Sequence, residues 1–405
     1  MERDVIFSKF RPFCAALASK PSKEILEKLE VLVSATNPQD LESLQEYILF
    51  PCQLYLKTPI MPENYTIQVL KFVEHFFYPN GVVRVALNST FLMTDLLQSI
   101  LLIITGSNQT SETSTVELSE DLKIGICDCI SCLVMSSTPD VKRVIYSVEQ
   151  KLAFSHLVFQ VLEWSQSGVR NVIVSCLEMI DNLCCCNNAD DDESNKNLYT
   201  LFVDQFCQML PGITTKLVKT LQQQNKNSDK IVLSNKIIVK SLTIWSHYVV
   251  AIFCDKNIEQ ELSTDLTKMS DKCQLLSDTK WIGKAQDHLM SHVQIFGRSF
   301  STHSNILVRE ELLRLCSDLV DFCSTEALPN LHSLLIEILS GLAVDQDSVI
   351  LRDNSKKCLR KLLIIFAEKQ KARIVDPILD DESSLLRPVA EQVTQAFILC
   401  PVQIN

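Results

Sequence analysis

Eight glycines in a chain of 405 residues leave little room for any fold built on tight turns. Glycine supplies positive φ, and β-hairpins, phosphate-binding loops and the short loops of parallel sheets all draw on it. An average chain carries about 7% glycine, several times the proportion found here. An all-α chain is therefore expected before any pattern is read. The pattern agrees: apolar residues recur at three- and four-residue spacing almost throughout, as in VIVSCLEMIDNLC (172–184) and ELLRLCSDLVDFC (311–323), and strict alternation is nearly absent. The spacing predicts helices over 4–18, 22–34, 38–56, 63–78, 82–104, 118–136, 141–165, 169–186, 196–223, 231–254, 280–297, 305–323, 328–342, 348–370 and 383–399. Short polar or proline-bearing connections separate them, such as STPD (137–140), ALPN (327–330) and VDPILDDESS (375–384).

A weak internal repeat runs through these helices. A polar or basic residue leads apolar or small ones at +3, +7 and +10. Lys123 leads Ile126, Ile130 and Leu133; Arg170 leads Ile173, Leu177 and Ile180; Asn235 leads Ile238, Leu242 and Trp245. Arg309 leads Leu312, Cys316 and Leu319, and Arg352 leads Ser355, Leu359 and Leu362. Lys123 and Arg170, and likewise Arg309 and Arg352, lie about 45 residues apart, the length of a two-helix HEAT or armadillo unit. The wider gaps contain the polar inserts NNADDDESNKN (187–197), QQQNKNSDK (222–230) and the charged 255–279 segment. A hairpin of that size cannot bury its apolar face alone, so neighbours must stack. The expected architecture is an α-solenoid of HEAT/armadillo-like helical hairpins over 1–405. It divides loosely into N-terminal repeats (1–186), polar inserts around a helix (187–230) and C-terminal repeats (231–405). The leading arginine should sit in the first turns of its helix, within reach of an acidic side chain from an adjacent repeat.

Charge and cysteine usage narrow the function classes. A net charge of −11 and a pI near 5.2 argue against general attraction to nucleic acid or anionic membrane. No run approaches the roughly 18 uninterrupted apolar residues of a membrane span. The N-terminal MERDVIFSKFRPFC carries Glu2 and Asp4 and does not read as a secretory signal. Sixteen cysteines are then expected as reduced thiols in a cytoplasmic or nuclear protein. CDCISC (127–132) sets Cys129 and Cys132 at zinc-ligand spacing, with LCCC (183–186) downstream, so a helical zinc-binding protein is one alternative. The same cysteines fall on packing positions of a continuous helix. His288 and His292 are four apart, but no glutamate sits between them as a zinc protease requires. No GxSxG, GxGxxG or phosphate-binding loop occurs, and the acidic runs DDDE (190–193) and DDE (380–382) read as solvated linkers. No catalytic, metal or cofactor-binding residue, no cofactor and no small-molecule substrate is assigned, and the chain is not expected to be an enzyme.

One basic face has a candidate binding role. Arg352, Lys356 and Arg360 recur at four-residue spacing, with Lys357 and Lys361 beside them and Lys369, Lys371 and Arg373 beyond. The functional reading is a docking ridge for an acidic protein partner; the structural one is a solvated outer face. No aromatic side chains interleave to stack bases.

LQEYILFPCQLYLKTP (44–59) places Pro51 inside an apolar helical face, where it is expected to bend or break the helix. This segment resembles the start of the Tel-two-interacting protein one family, whose members carry a Leu-Gln-x-Tyr-Ile-Leu-Phe-Pro…Leu-Lys-Thr-Pro stretch. The likeness continues collinearly through FRPFCAAL (10–17), FCQMLPGITTKLVKTL (206–221), WIGKAQDHL (281–289), HSNILVREELLRLCSDLV (303–320) and CLRKLLIIFAEK (358–369). The resemblance implies a non-catalytic scaffold of the triple-T (TTT) co-chaperone complex. Its implied partners are the Tel-two and Tti-two subunits, the phosphatidylinositol-3-kinase-related kinases of TOR and ATM type, and the heat-shock-protein-ninety chaperone with its adaptor complex. Family members are far longer, so the chain is expected to match the family's N-terminal region, with most contacts to the two partner subunits lying beyond it. A fragment, a truncated product or a shortened paralogue would each fit. The alternative binding role is that of a generic HEAT-repeat adaptor or transport receptor for other protein clients.

Overall fold

The apolar periodicity is realised as helix over most of what the computed structural model describes, residues 2–58, 62–106, 117–184, 193–222, 234–255, 276, 279–323 and 327–374. In chain order the helices are α1 (Glu2–Ser19), α2 (Lys23–Ala35), α3 (Pro38–Leu56), α4 (Glu63–Phe77), α5 (Thr90–Gly106), α6 (Glu120–Ser136), α7 (Pro139–Ile145) and α8 (Lys151–Trp164). They continue with α9 (Arg170–Leu183), α10 (Glu193–Gln222), α11 (Asn235–Phe253), α12 (Thr279–Phe300), α13 (Ile306–Phe322), α14 (His332–Leu342) and α15 (Val349–Ile374). Among the described residues no strand forms, and an isolated bridge pairs Leu87 with Ser137. The predicted helix at 383–399 lies outside the described residues.

Polar caps set several of the starts. Ser22 accepts from the Ile25 amide (3.3 Å), Asn37 from Gln39 (3.1 Å), Ser119 from Leu122 (3.2 Å) and Asn305 from Leu307 (2.9 Å). Each such cap is worth about 1 kcal/mol.

The chain divides into two compact units, residues 1–205 and 206–405, and the division falls within α10. In the first unit α1, α3, α5 and α8 follow one another in one layer, and α2, α4, α6 and α9 in the other. The +3/+7/+10 stripe is the seam of that second layer: Ile126, Ile130 and Leu133 of α6 and Ile173, Leu177 and Ile180 of α9 are all buried. In the second unit α11, α13 and α15 pack in succession, and α12 and α14 lie against them. There Ile238, Leu242 and Trp245, and likewise Leu312, Cys316 and Leu319, are buried, as are Ser355 and Leu362, while Leu359 is half-buried. Stacking of helical hairpins at this repeat length is the all-α solenoid arrangement that the sequence predicts.

By length and composition α11 is apolar enough to cross a membrane, yet 67% of its apolar window is buried inside the protein. That burial is what a core helix shows.

Two predicted helices are corrected. The first, 82–104, begins only at Thr90. A short 3-10 turn (Pro79–Gly81) reverses the chain at Gly81, whose φ is +79°. Residues 82–89 then form a non-helical strap that bends at Val85, and the Leu87 amide donates to the Ser136 carbonyl (2.8 Å) while the Thr138 amide donates back to Leu87 (3.0 Å). Val85 and Leu87 are buried, a two-residue alternation that outweighs the helical reading. Arg84 fixes the strap by donating to the carbonyls of Val33 (2.8 Å), Ser34 (3.0 Å) and Thr36 (2.9 Å), which satisfies the C-terminal end of α2.

Nothing stands within 4 Å of a Cβ built at Gly81, so its cost when substituted is purely conformational. Gly81→Ala is expected to destabilise the first unit by about 1–2 kcal/mol, read as a lower urea midpoint with an unchanged m-value; an unmoved midpoint would refute the turn.

The second correction is at 141–165, which splits into α7 and α8. A straight helix would hold Tyr146 and Phe154 about 12 Å apart. The break brings their rings to 5.9 Å, sets Phe202 at 5.8 Å on Tyr146, and lets the Tyr146 hydroxyl donate to the Leu183 carbonyl (2.7 Å). Pro51, by contrast, does not break its helix: α3 continues through it to Leu56, with the proline ring buried.

Candidate partner-docking surface

The basic residues picked out on α15 owe their position to a buried arginine on α13. Arg309 lies in the first turns of its helix, only 4% exposed. Its Nη2 donates to Asp347 (2.8 Å), and its Nη1 donates to the carbonyls of His303 and Ser304. Its Nε lies 2.8 Å from the Asp345 carboxylate but off the line of its N–H, so that contact is ionic rather than a hydrogen bond. Asp345 also accepts from the amides of Asp347 (3.0 Å) and Ser348 (2.9 Å), and Ser348 Oγ in turn accepts from Leu351 (3.1 Å) at the start of α15. A repeat leader thus grips the loop that launches the next repeat, as the sequence pattern predicts for this arginine. Arg352 reaches back to the Asp345 carbonyl (3.2 Å). The other leaders differ: Arg170 is exposed, and Lys123 is buried and reaches Glu117 (2.9 Å) on the approach to its own helix.

With α13 and α15 tied in this way, an open groove of 530 Å³ lies between them. From α13 it is lined by Glu310, Leu313, Arg314, Ser317 and Asp321, and from α15 by Ile350, Leu351, Asn354, Lys357, Cys358 and Lys361. Of the five predicted ridge residues, Lys357 and Lys361 line the groove; Lys356 and Arg360 are exposed outside it, and Arg352 is half-buried. Lys361 pairs with Asp321 (2.6 Å) and Arg314 with Glu311 (2.6 Å), leaving Lys356, Lys357 and Arg360 as charge presented to solvent. Burial pushes the Cys358 thiol up to about 11, although a hydrogen bond with Ser317 partly offsets it. It therefore stays protonated near neutral pH and is a poor nucleophile. The side chains of Lys369, Lys371 and Arg373 lie outside the described residues. The chemistry this surface offers is binding through an apolar floor and a basic wall.

The cysteine cluster is part of the core. Cys127, Cys129 and Cys132 are buried on α6, Cys127 Sγ lies 3.8 Å from Cys176 Sγ on α9, and Cys132 donates to the Glu74 carbonyl (3.6 Å). Desolvation raises the Cys129 and Cys132 thiols, and the neighbouring Cys176 thiol together with desolvation raises Cys127. Cys184 is buried, and Cys185 and Cys186 lie outside the described residues. Among the described residues no three potential metal ligands converge.

His288 and His292 do meet on α12, with ring centroids 4.2 Å apart. His292 is buried and accepts at Nδ1 from the Trp245 indole (3.3 Å), while His288 Nε2 lies 3.1 Å from the Thr215 hydroxyl. Burial, and then the charge of His288, depresses His292 to about 4. The pair works as a seam joining α10, α11 and α12.

Sequence reasoning left several ties unread. In LQEYILFPCQLYLKTP, Gln45 donates to Asn88 (2.5 Å) and to the Glu42 carbonyl (2.8 Å), and Lys57 pairs with Asp95 of α5. In LPGITT (210–215), Thr214 donates to the Leu210 carbonyl (2.8 Å) and Thr215 touches His288. Gln45 thus ties α3 to the segment ahead of α5, Lys57 ties α3 to α5, and Thr215 ties α10 to α12, whereas the Thr214 bond stays within α10.

Stacked hairpins that share a core within each unit, and a candidate surface suited to binding, define the class of α-solenoid repeat proteins. The model of the family described as "TTI1 N-terminal TPR domain" matches residues 7–346, and the chain belongs to that family. TPR, HEAT and armadillo units are all stacked helical repeats. The chain is similar to the TELO2-interacting protein 1 homolog of Homo sapiens, 26% identical over 356 residues that make up 85% of this chain and 31% of the relative. It is likewise similar to the Mus musculus homolog, 24% identical over 352 residues, 84% of this chain and 31% of the relative. It therefore spans about a third of the length of these relatives. Among solved structures, the crystal structure of an engineered protein aligns over 96% of this chain and 98% of its own at 9% identity, with a TM-score of 0.31 too low to carry an argument.

Proposed function

We propose that the chain is a non-catalytic binding scaffold of the TTT co-chaperone system, supporting the maturation, stability and assembly of phosphatidylinositol-3-kinase-related kinases of TOR and ATM type with the heat-shock-protein-ninety machinery. The observation that carries this reading is the family match over residues 7–346, on relatives whose name states an interaction with TELO2. A repeat array offers long, continuous surface for large helical clients, which suits a holding role in the cytoplasm or nucleus. The partners are the Tel-two and Tti-two subunits, the kinases and the chaperone's adaptor complex.

The test is crosslinked affinity purification of the chain from its native cells, followed by mass spectrometry. The Tel-two subunit or at least one such kinase is expected above the level of an unrelated solenoid control. Recovery of neither, or of a different coherent complex in their place, overturns the reading in favour of a general adaptor.

A further inference from the structure

From the groove between α13 and α15 we infer a docking site for an acidic amphipathic helix of a partner protein. Leu313, Leu351 and Cys358 give the groove a largely apolar floor. Along α15, Ile350, Lys357, Lys361 and Ile364 fall on one stripe, and the two isoleucines at its ends are 71% and 58% exposed. Those ends lie about 21 Å apart, four helical turns, the length over which a helix-in-groove partner places its anchors. Exposed apolar side chains at both ends with cations between them ask for a helix whose apolar residues flank a run of carboxylates.

Charge selects the partner. The chain as a whole carries −11, yet Arg352, Lys356, Lys357, Arg360 and Lys361 gather on one helix with Asp353 as the acid among them. That segregation attracts an acidic surface and repels a basic one. Across the groove Glu310, Arg314 and Asp321 together carry no net positive charge, and Asp321 is already paired with Lys361, so a continuous phosphate backbone would meet cations in excess on the α15 side alone. An acidic helix can set its carboxylates toward α15 alone and its apolar face into the floor, so a protein helix is favoured over a nucleic acid.

The experiment titrates the full chain into a fluorescein-labelled synthetic peptide of about eighteen residues, with leucines at three- and four-residue spacing and glutamates between. Fluorescence anisotropy should show saturable binding that weakens as salt rises. Lys357→Glu and, separately, Ile350→Asp should each weaken it about tenfold, with helix content by circular dichroism unchanged. A matched peptide with lysines for the glutamates should not bind. Absence of saturation, equal binding of the lysine peptide, binding unmoved by Lys357→Glu in a folded variant, or tighter binding of a single-stranded RNA oligonucleotide would each overturn the inference. The salt titration and the lysine peptide use the unaltered chain, so a variant that fails to fold leaves the answer intact.

Discussion

Replacing Arg309 by alanine is expected to lower the unfolding free energy of the second unit by about 3–5 kcal/mol, the range for stripping one partner from a buried ion pair. The side chains of Arg309 and Asp345 are 5% and 8% exposed, so the substitution leaves a carboxylate inside the protein without its cation. It also frees the His303 carbonyl and the Asp347 carboxylate, and the loop ahead of α15 loses its anchor. Most of the loss should trace to Asp345. Asp347 is 72% exposed, and Asp347→Ala should cost only about 0–1 kcal/mol, as surface pairs do. Guanidinium denaturation of the three proteins (unaltered, Arg309→Ala, Asp347→Ala) separates these contributions. A loss below about 1 kcal/mol for Arg309→Ala would mean that the buried pair is not what holds the two repeats together.

The second large effect is a loss of stability in acid. An unfolded histidine takes up its proton near pH 6.5; buried His292 does so only near 4. Between those values the unfolded chain is protonated at this position and the folded one is not. Stability from this group is therefore complete above pH 6.5 and falls away as the pH drops toward 4, by about 2–3 kcal/mol in all. Charging the ring also costs it the Nδ1 lone pair that accepts the Trp245 N–H, since both nitrogens of an imidazolium are donors. Asp318 in the same unit works in the opposite sense: burial raises its pKa, so its contribution weakens as the pH rises through the carboxylate range.

His292→Gln keeps an acceptor for the indole while removing the titration. Denaturation midpoints followed from pH 7 to pH 4 should fall more steeply for the unaltered chain than for this variant. Parallel curves would show that His292 does not sense the pH.

What was legible in the sequence was whatever repeats locally. The stripe led by Lys123, Arg170, Asn235 and Arg309 marks core positions because helical spacing and burial are the same signal read twice. Arg309 could be assigned an acidic partner in the next repeat because the spacing of leaders fixes where that repeat begins. The misread elements are those decided at a distance. Leu87 leaves the helix to pair beside Ser137, with Val85 buried ahead of it, and Tyr146 leaves it for Phe154, Phe202 and the Leu183 carbonyl. The +3/+7/+10 rule is also blind to polar ties such as Gln45–Asn88 or Thr215–His288, which join segments far apart in sequence. The basic stripe on α15 could be read from its four-residue spacing. That Lys357 and Lys361, rather than Arg352 or Arg360, border a groove depends on where α13 lies, and no residue of α15 encodes that.

The buried thiols make the solenoid its own reporter. Cys52 on α3, Cys127 on α6, Cys176 on α9, Cys207 on α10 and Cys316 on α13 are all enclosed within their own stretch of core. A thiol sealed in this way meets an alkylating reagent only when its repeat opens, and neighbouring repeats of a solenoid open with partial independence. The order in which the cysteines acquire label under native conditions is therefore a map of local stability along the chain, written by the protein without any added probe.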